Sequence, residues 1–210
     1  MNTDNKAEKT FAKVKVLFWP PIYLKCGNSF FLTKSSGGYA TRRSIMKSNF
    51  DDIVYLDEFR LTDASAMLAA DHDSEHRKRF EFPPDFVPSL EHSLNVIQGW
   101  IDDRKLGTRY TYAVRATDSD CLVGGCEIRP KENEKEIANL SYWTHPGYRR
   151  RGIATRAVTI ACKIAAEFGI TRLQILVDKD NTASRRVAVK SGFIQSSDRD
   201  GRACYYWNPP

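Results

Sequence analysis

The run Tyr142-Trp143-Thr144-His145-Pro146-Gly147-Tyr148-Arg149-Arg150-Arg151-Gly152-Ile153-Ala154-Thr155 carries a strand-like apolar end into a small-residue turn that opens an apolar-periodic helix. Such a turn can hold an anion. The first backbone amides of a helix have no partner within it, and the positive end of the helix dipole lies there, so main chain without bulky side chains can wrap a phosphate. Amide-to-phosphate hydrogen bonds are charge-assisted and contribute about 1.5 to 3 kcal/mol each, so four or five would fix a diphosphate. The pattern Arg149-x-x-Gly152-x-Ala154 lacks the Lys-Ser/Thr that follows the last glycine of a P-loop, and the first two glycines of the dinucleotide fingerprint. Taken alone, three arginines and a glycine also describe a solvated turn.

Two further segments bear on the chemistry. Thr171-Arg172-Leu173-Gln174-Ile175-Leu176-Val177 is strand-like and is followed by Asn181-Thr182-Ala183-Ser184-Arg185-Arg186-Val187-Ala188-Val189-Lys190-Ser191-Gly192-Phe193. Asn181 is suited to cap a helix there and Gly192 to end it in the left-handed region. Upstream, Leu122-Val123-Gly124-Gly125-Cys126-Glu127-Ile128 places one acid inside an otherwise apolar strand. A carboxylate in that setting is paired, edge-exposed or functional. Glu127 is therefore read either as a proton acceptor or as the partner of Arg129, Arg115 or another basic neighbour.

The paired glycine-turn and Asn-x-x-Ser segments, in this order, resemble the coenzyme A elements of the Gcn5-related N-acetyltransferase (GNAT) superfamily over about residues 52 to 208. The first is similar to that superfamily's Gln/Arg-x-x-Gly-x-Gly/Ala loop between its fourth strand and third helix. The second is similar to its Asn-x-x-Ser...Lys-x-Gly-Phe element after the fifth strand. Tyr142-Trp143-x-His145-Pro146 followed by Tyr148-Arg149-x-Arg151-Gly152 resembles the branch of ribosomal-protein alanine N-acetyltransferases and their small-amine relatives.

This resemblance implies acetyl-CoA as acyl donor, held by Thr144, Arg149, Arg150, Arg151, Gly152, Ile153, Ala154, Thr155, Asn181 and Ser184. It implies direct acetyl transfer, in a ternary complex, to a protein N-terminal amine or a small primary amine. The implied fold is α+β, a single mixed, mostly antiparallel sheet of about seven strands with four helices, splayed open near strands four and five. Thr144 would lie where the fourth strand leaves the fifth, its amide available to the thioester oxygen and its carbonyl to the pantetheine arm. Ser184 is implied to sit near the sulfur. The Tyr that family members often use to protonate the departing thiolate is replaced by Ala188. Tyr205 or Tyr206 offers another phenol, and a non-catalytic acyl-CoA-binding module stays open as a second reading.

The elements that must position these residues follow from periodicity. Ile53 to Leu61 reads as a first strand, with Thr62 capping a helix through Ala70; Ser89 starts a second helix with Leu90, Leu94, Ile97 and Ile101 at helical spacing. Tyr110 to Ala116, Leu122 to Arg129 and Ile137 to Thr144 read as a three-strand meander. Ile153, Ala157, Ile160, Ala161, Ile164 and Phe168 form the apolar face of a helix that Gly169 ends. Phe193 to Ser196 and Ala203 to Trp207 close the chain as a hairpin. Arg77 to Pro84 reads as a lip of the acceptor cleft, and His72 and His76 as an exposed turn of helix rather than a metal site.

Composition narrows the partners. Of 32 basic and 26 acidic side chains, residues 1 to 45 hold eight and two, so the remainder is neutral with 24 of each. The basic excess belongs to that leader, and nucleic acid is not the expected partner of the domain. Residues 1 to 45 read as a disordered or misassigned basic extension and residues 46 to 210 as the domain, with Met46 a plausible initiator. No apolar stretch suits a membrane span. The five cysteines show no Cys-x-x-Cys pair and are expected as reduced, cytoplasmic thiols; a homodimer is left open.

The acceptor class sets how strong a base is needed. An alkyl amine near pKa 10.4 requires about 4.6 kcal/mol to lose its proton at pH 7, whereas an α-amine near 7.8 requires about 1 kcal/mol. A water chain to one carboxylate would serve a peptide N-terminus.

Overall fold

The structure, a computed structural model, describes residues 50–210. The expected boundary at residue 46 lies outside them. The element order is β1 Val54–Glu58, a 3-10 turn Leu61–Asp63, α1 Ala64–Leu68, α2 Ser74–Arg79, α3 Leu90–Lys105, β2 Tyr110–Ala116, β3 Leu122–Pro130 and β4 Ile137–Thr144. A second 3-10 turn Pro146–Tyr148 then leads to α4 Ile153–Glu167, β5 Arg172–Val177, α5 Thr182–Lys190, β6 Ile194–Gln195 and β7 Ala203–Trp207. The seven strands form one sheet in the order β1-β2-β3-β4-β5-β7-β6. Every neighbour pair is antiparallel except β4 with β5, which is parallel.

Each sheet face carries its own core. On one, α4 lays Ile153, Ala157, Val158, Ile160, Ala161 and Ile164 against Val54, Leu56, Val114, Cys126, Ile128 and Leu140. These α4 positions repeat at i, i+3 and i+4, and each fully buried Ile or Val contributes about 1.5 to 3 kcal/mol. Gly169, at φ +77°, turns the chain out of the helix as expected. On the opposite face Phe59, just after β1, with Ala64 and Met67 of α1 and Ile97 and Trp100 of α3, covers Ala113, Leu122 and Trp143. Central strands β2 and β3 are buried on both sides, which is why they read as near-continuous apolar runs.

Departures from expectation are local. The first strand is shorter than Ile53 to Leu61, and Thr62 caps nothing; the Asp63 carboxylate instead accepts from the Arg60 amide (2.8 Å) and from Arg115 (2.7 Å). The described residues contain five α-helices, of which α1 and α2 are short, at five and six residues. Cys126, Cys162 and Cys204 are buried free thiols.

Gly124 is where β3 and β4 approach most closely. A Cβ there would lie 2.4 Å from the Trp143 carbonyl oxygen, so only glycine lets the end of β4 stay in register. Gly124→Ala is expected to cost about 1 to 3 kcal/mol and to lower Tm by several degrees in a thermal melt. Gly99, inside α3 with nothing within 4 Å of its Cβ, should behave oppositely, Gly99→Ala raising stability by about 0.5 to 1 kcal/mol.

Candidate active site

The site begins with a parting of strands. Parallel pairing of β4 with β5 covers only Ile137–Asn139 against Arg172–Gln174; beyond it β4 stays with β3 and β5 with β7. The His145 amide donates to the Val123 carbonyl at 2.9 Å, which makes 123/145, 125/143 and 127/141 the hydrogen-bonded pairs of this ladder. The backbone groups of Leu140, Tyr142 and Thr144 therefore point away from β3, into the gap. The Tyr142 hydroxyl crosses the gap and donates to the Ser184 carbonyl of α5 at 3.0 Å. Burial pushes this phenol well above its usual range, so it keeps its proton at neutral pH.

At the head of the gap the chain turns sharply into α4. Pro146–Tyr148 forms the 3-10 turn, with the His145 Nδ1 accepting from the Gly147 amide at 3.2 Å. Arg149 is extended, Arg150 is left-handed at φ +61°, and Gly152, the N-cap of α4, is left-handed at φ +78°. No side chain caps α4, and a Cβ on the exposed Gly152 would meet nothing within 4 Å. Among the described residues no side chain thus competes for the first-turn amides, which suits a phosphate cradle. Ile153 is buried and anchors the turn, while Ala154 and Thr155 are half-buried behind it.

The three arginines differ in what they touch. Arg150 is exposed, and Arg151 lies over the Tyr148 ring at 5.3 Å. Arg149 turns to α2, where it grips Asp73 through both guanidinium nitrogens (2.6 and 3.2 Å) and reaches Glu75 at 3.5 Å. Across the gap, Asn181 caps α5 by accepting from the Ser184 amide at 3.1 Å, and Gly192 leaves the helix at φ +83°. The structure thus brings Thr144, the Arg149–Thr155 turn, Asn181 and Ser184 to the two rims of one opening. Tyr205 acts electrostatically on Tyr142 at the gap, whereas Tyr206 lies further along the sheet. The Tyr205 hydroxyl accepts from Arg185 (3.1 Å) and donates to Gln195 (3.3 Å), and Tyr206 faces Gln174, where β4 and β5 are still joined.

Glu127 lies on the sheet face that also carries Trp143, opposite Thr111 and Ser141. Both its oxygens face a guanidinium, Oε1 that of Arg129 at 2.9 Å and Oε2 that of Arg109 at 3.7 Å. Arg115 serves Asp63 instead. Beside Arg109 a cavity of about 230 Å³ is lined by His92, Asn95, Gly99, Trp100 and Asp103. Burial lowers the pKa of His92, leaving its ring neutral at pH 7.

α2 ties the two rims together. Asp73 caps it by accepting from the His76 amide at 2.8 Å while holding Arg149. At the other end Arg79 meets Asp180 (2.7 Å) and Asp178 (3.8 Å), and Lys78 meets Asp180 (3.3 Å). Burial opposes the Asp73 charge, yet Arg149 and the His76 amide hold its carboxyl below the usual range. The expectation that His72 and His76 mark an exposed turn fails at His76. That ring is buried, stacked on Phe80 (4.3 Å) and edge-on to Trp143 (5.7 Å), and Asp71 is buried with it. A hydrophilic run gave no sign of this, because Trp143 arrives from 67 positions along the chain. The Asp73-Ser74-Glu75 sequence, a helix-start pattern, was the available signal.

No helix among the described residues is long and apolar enough to cross a membrane. The chain is similar in fold to RimJ of Mycobacterium smegmatis bound to a coenzyme A disulfide: 21% identity, TM-score 0.63, covering 74% of this chain and 81% of that one. It is similar to RimL, a ribosomal L7/L12 α-N-protein acetyltransferase in complex with coenzyme A (18%, TM-score 0.62, 75% and 95%). The microcin C7 self-immunity acetyltransferase MccE, in complex with acetyl-CoA and AMP, is a further neighbour (17%, TM-score 0.63, 80% and 99%). No curated protein sequence matches the chain. Residues 54–194, about two thirds of the sequence, match the family described as acetyltransferase (GNAT) domain, and the chain belongs to that family.

Proposed function

We propose that the chain is an acetyl-CoA-dependent N-acetyltransferase that moves an acetyl group directly to a protein N-terminal amine or a small primary amine within a ternary complex. One observation carries this reading: the uncapped mouth of α4, with left-handed Arg150 and Gly152, opens at the head of the β4–β5 gap. Amides of the Arg150–Thr155 turn would bind the diphosphate, with the Arg149 guanidinium beside it, and Asn181 and Ser184 would line the pantetheine arm. A cytoplasmic setting belongs to the same reading.

The thioester arrives activated, so the protein must place the amine, hold the oxyanion and let the thiolate go. The Thr144 amide, aimed into the gap by the β3–β4 ladder, would bind the thioester oxygen. Ser184 would sit beside the departing sulfur, with the protonated Tyr142 phenol adjacent. Glu127, its oxygens already engaged by Arg129 and Arg109, would act as a fixed negative charge. It would draw an ammonium in and stabilise the positive nitrogen that develops on attack. RimL, a ribosomal L7/L12 α-N-protein acetyltransferase of similar fold, supports a peptide N-terminus as one acceptor.

Ala188 favours a second reading. It is fully buried and offers no phenol to the sulfur, which suits a module that binds acyl-CoA without turnover. Incubation with acetyl-CoA and a panel of peptides, polyamines and aminoglycosides, with free thiol followed, separates the two. Thiol release that depends on the amine supports the enzyme, and binding without release across the panel supports the module.

The cradle itself is open to calorimetry. Ala154→Asp places bulk and negative charge at the phosphate position and is expected to weaken acetyl-CoA at least tenfold; unchanged affinity would count against the cradle. Arg150→Gly removes a left-handed side chain and should stabilise the fold by up to about 1 kcal/mol while leaving affinity within a few-fold, because the grip belongs to the main chain.

A further inference from the structure

Resting on the amine-acceptor reading, we propose that Asp71 is the group that takes the first proton from the acceptor ammonium. Asp71 follows α1 and is fully buried, and among the described residues neither of its carboxylate oxygens has a hydrogen-bond partner. Nothing in the packing uses this carboxyl. A buried carboxylate without partners is costly to the fold, and such groups recur where a site needs them. The contrast with Glu127 is direct: there both oxygens face guanidinium groups, here both are unoccupied.

Placement links Asp71 to the reacting atoms. Two residues on, Asp73 grips Arg149 at the edge of the cradle, and two residues of chain span at most about 7 Å. Five residues on, His76 packs against Trp143, the neighbour of Thr144. The segment that carries Asp71 therefore lies over the end of β4, where the thioester carbonyl would sit. Arg77 is the charged side chain that acts on Asp71, and its nitrogens are spent on the carbonyls of Asp71 (3.3 Å) and Phe86 (3.0 Å). Of the other ionisable groups in this run, Asp73 and Glu75 face Arg149, and His76 is stacked on Phe80. Burial raises the Asp71 carboxyl to about 7, which matches a base working at neutral pH.

The cover over Asp71 is connected to the donor. α2 is held over the gap by ion pairs from Asp73 and Glu75 to Arg149 at one end and from Lys78 and Arg79 to Asp180 at the other. A diphosphate in the cradle competes with Asp73 for Arg149, so donor loading loosens the segment that shields Asp71. The ammonium then gives one proton to Asp71. The neutral amine attacks the thioester carbon; the C–N bond forms and the C–S bond breaks. The second nitrogen proton ends on the coenzyme A sulfur, and the Asp71 proton leaves to solvent, which balances amide, thiol and one released proton.

The test compares wild type with Asp71→Asn, which keeps shape and removes the titration. Turnover is followed by thiol release with saturating acetyl-CoA, using an alanine-initiated tetrapeptide and n-butylamine as probes. We expect kcat to fall at least 100-fold with acetyl-CoA affinity unchanged, and the limb of the pH–rate profile near 7 to vanish. Stability supplies a second readout. The folded carboxyl binds its proton more tightly than the unfolded one, so ionisation opposes folding; wild-type stability declines as pH rises from about 4 to about 7 and is level above. Asp71→Asn should lack that slope and melt no lower than wild type at pH 8. Activity within threefold of wild type, or a retained limb near pH 7, overturns the assignment while leaving the enzyme reading intact. A wild-type protein that binds acetyl-CoA and turns over neither probe overturns both.

Discussion

The structure depends on one geometric constraint: β4 cannot pair on both edges beyond Asn139. Its register with β3, closed by the His145 amide and by the glycine at 124, aims the main-chain groups of Leu140, Tyr142 and Thr144 outward. β5 departs at the same level to join β7. Backbone hydrogen-bonding groups must be satisfied, and a row of them facing a gap invites an extended ligand that carries its own amides. A pantetheine arm is such a ligand. On the proposed reading the mouth of α4 at the top of the same gap adds the anion site, so one parting of strands would position both ends of the donor.

Charge then couples the donor side to the acceptor side. Arg149 is the hinge of this coupling, because it belongs to the cradle in sequence and to α2 in contact. Its pair with Asp73 is partly exposed and therefore modest in energy and sensitive to salt, unlike the nearly buried pair of Arg115 with Asp63. A weak tie is what a segment needs if it is to yield to a phosphate. The buried pairs of β2 and the α4 core keep the scaffold fixed while α2 responds.

Much of this was legible in the residues. Tyr110–Ala116, Ile137–Thr144 and Ala203–Trp207 begin and end where their apolar runs do, and Ser89, Asn181, Gly169 and Gly192 bound helices as their local chemistry dictates. Local physics decided those features. α2 was misjudged because its burial comes from Trp143 and Phe80, partners that a hydrophilic run does not announce. Arg109 was not foreseen as a partner of Glu127, since the antiparallel register that brings β2 beside β3 is not fixed by either strand alone. The same holds for Asp73 and Arg149, separated by 76 positions. Sequence spacing marked the turn proposed to hold the donor and left the acceptor side to tertiary structure.

The central claim is that main-chain nitrogens at the mouth of α4 hold the donor's diphosphate. Amide-resolved hydrogen exchange and ¹⁵N chemical shifts of Arg150 to Thr155, recorded with and without coenzyme A, address it most directly. Strong shifts and slowed exchange at this turn and at the gap-facing amide of Thr144 are the expected result. Binding of coenzyme A that leaves these amides unperturbed, or that perturbs only side chains elsewhere, would contradict it.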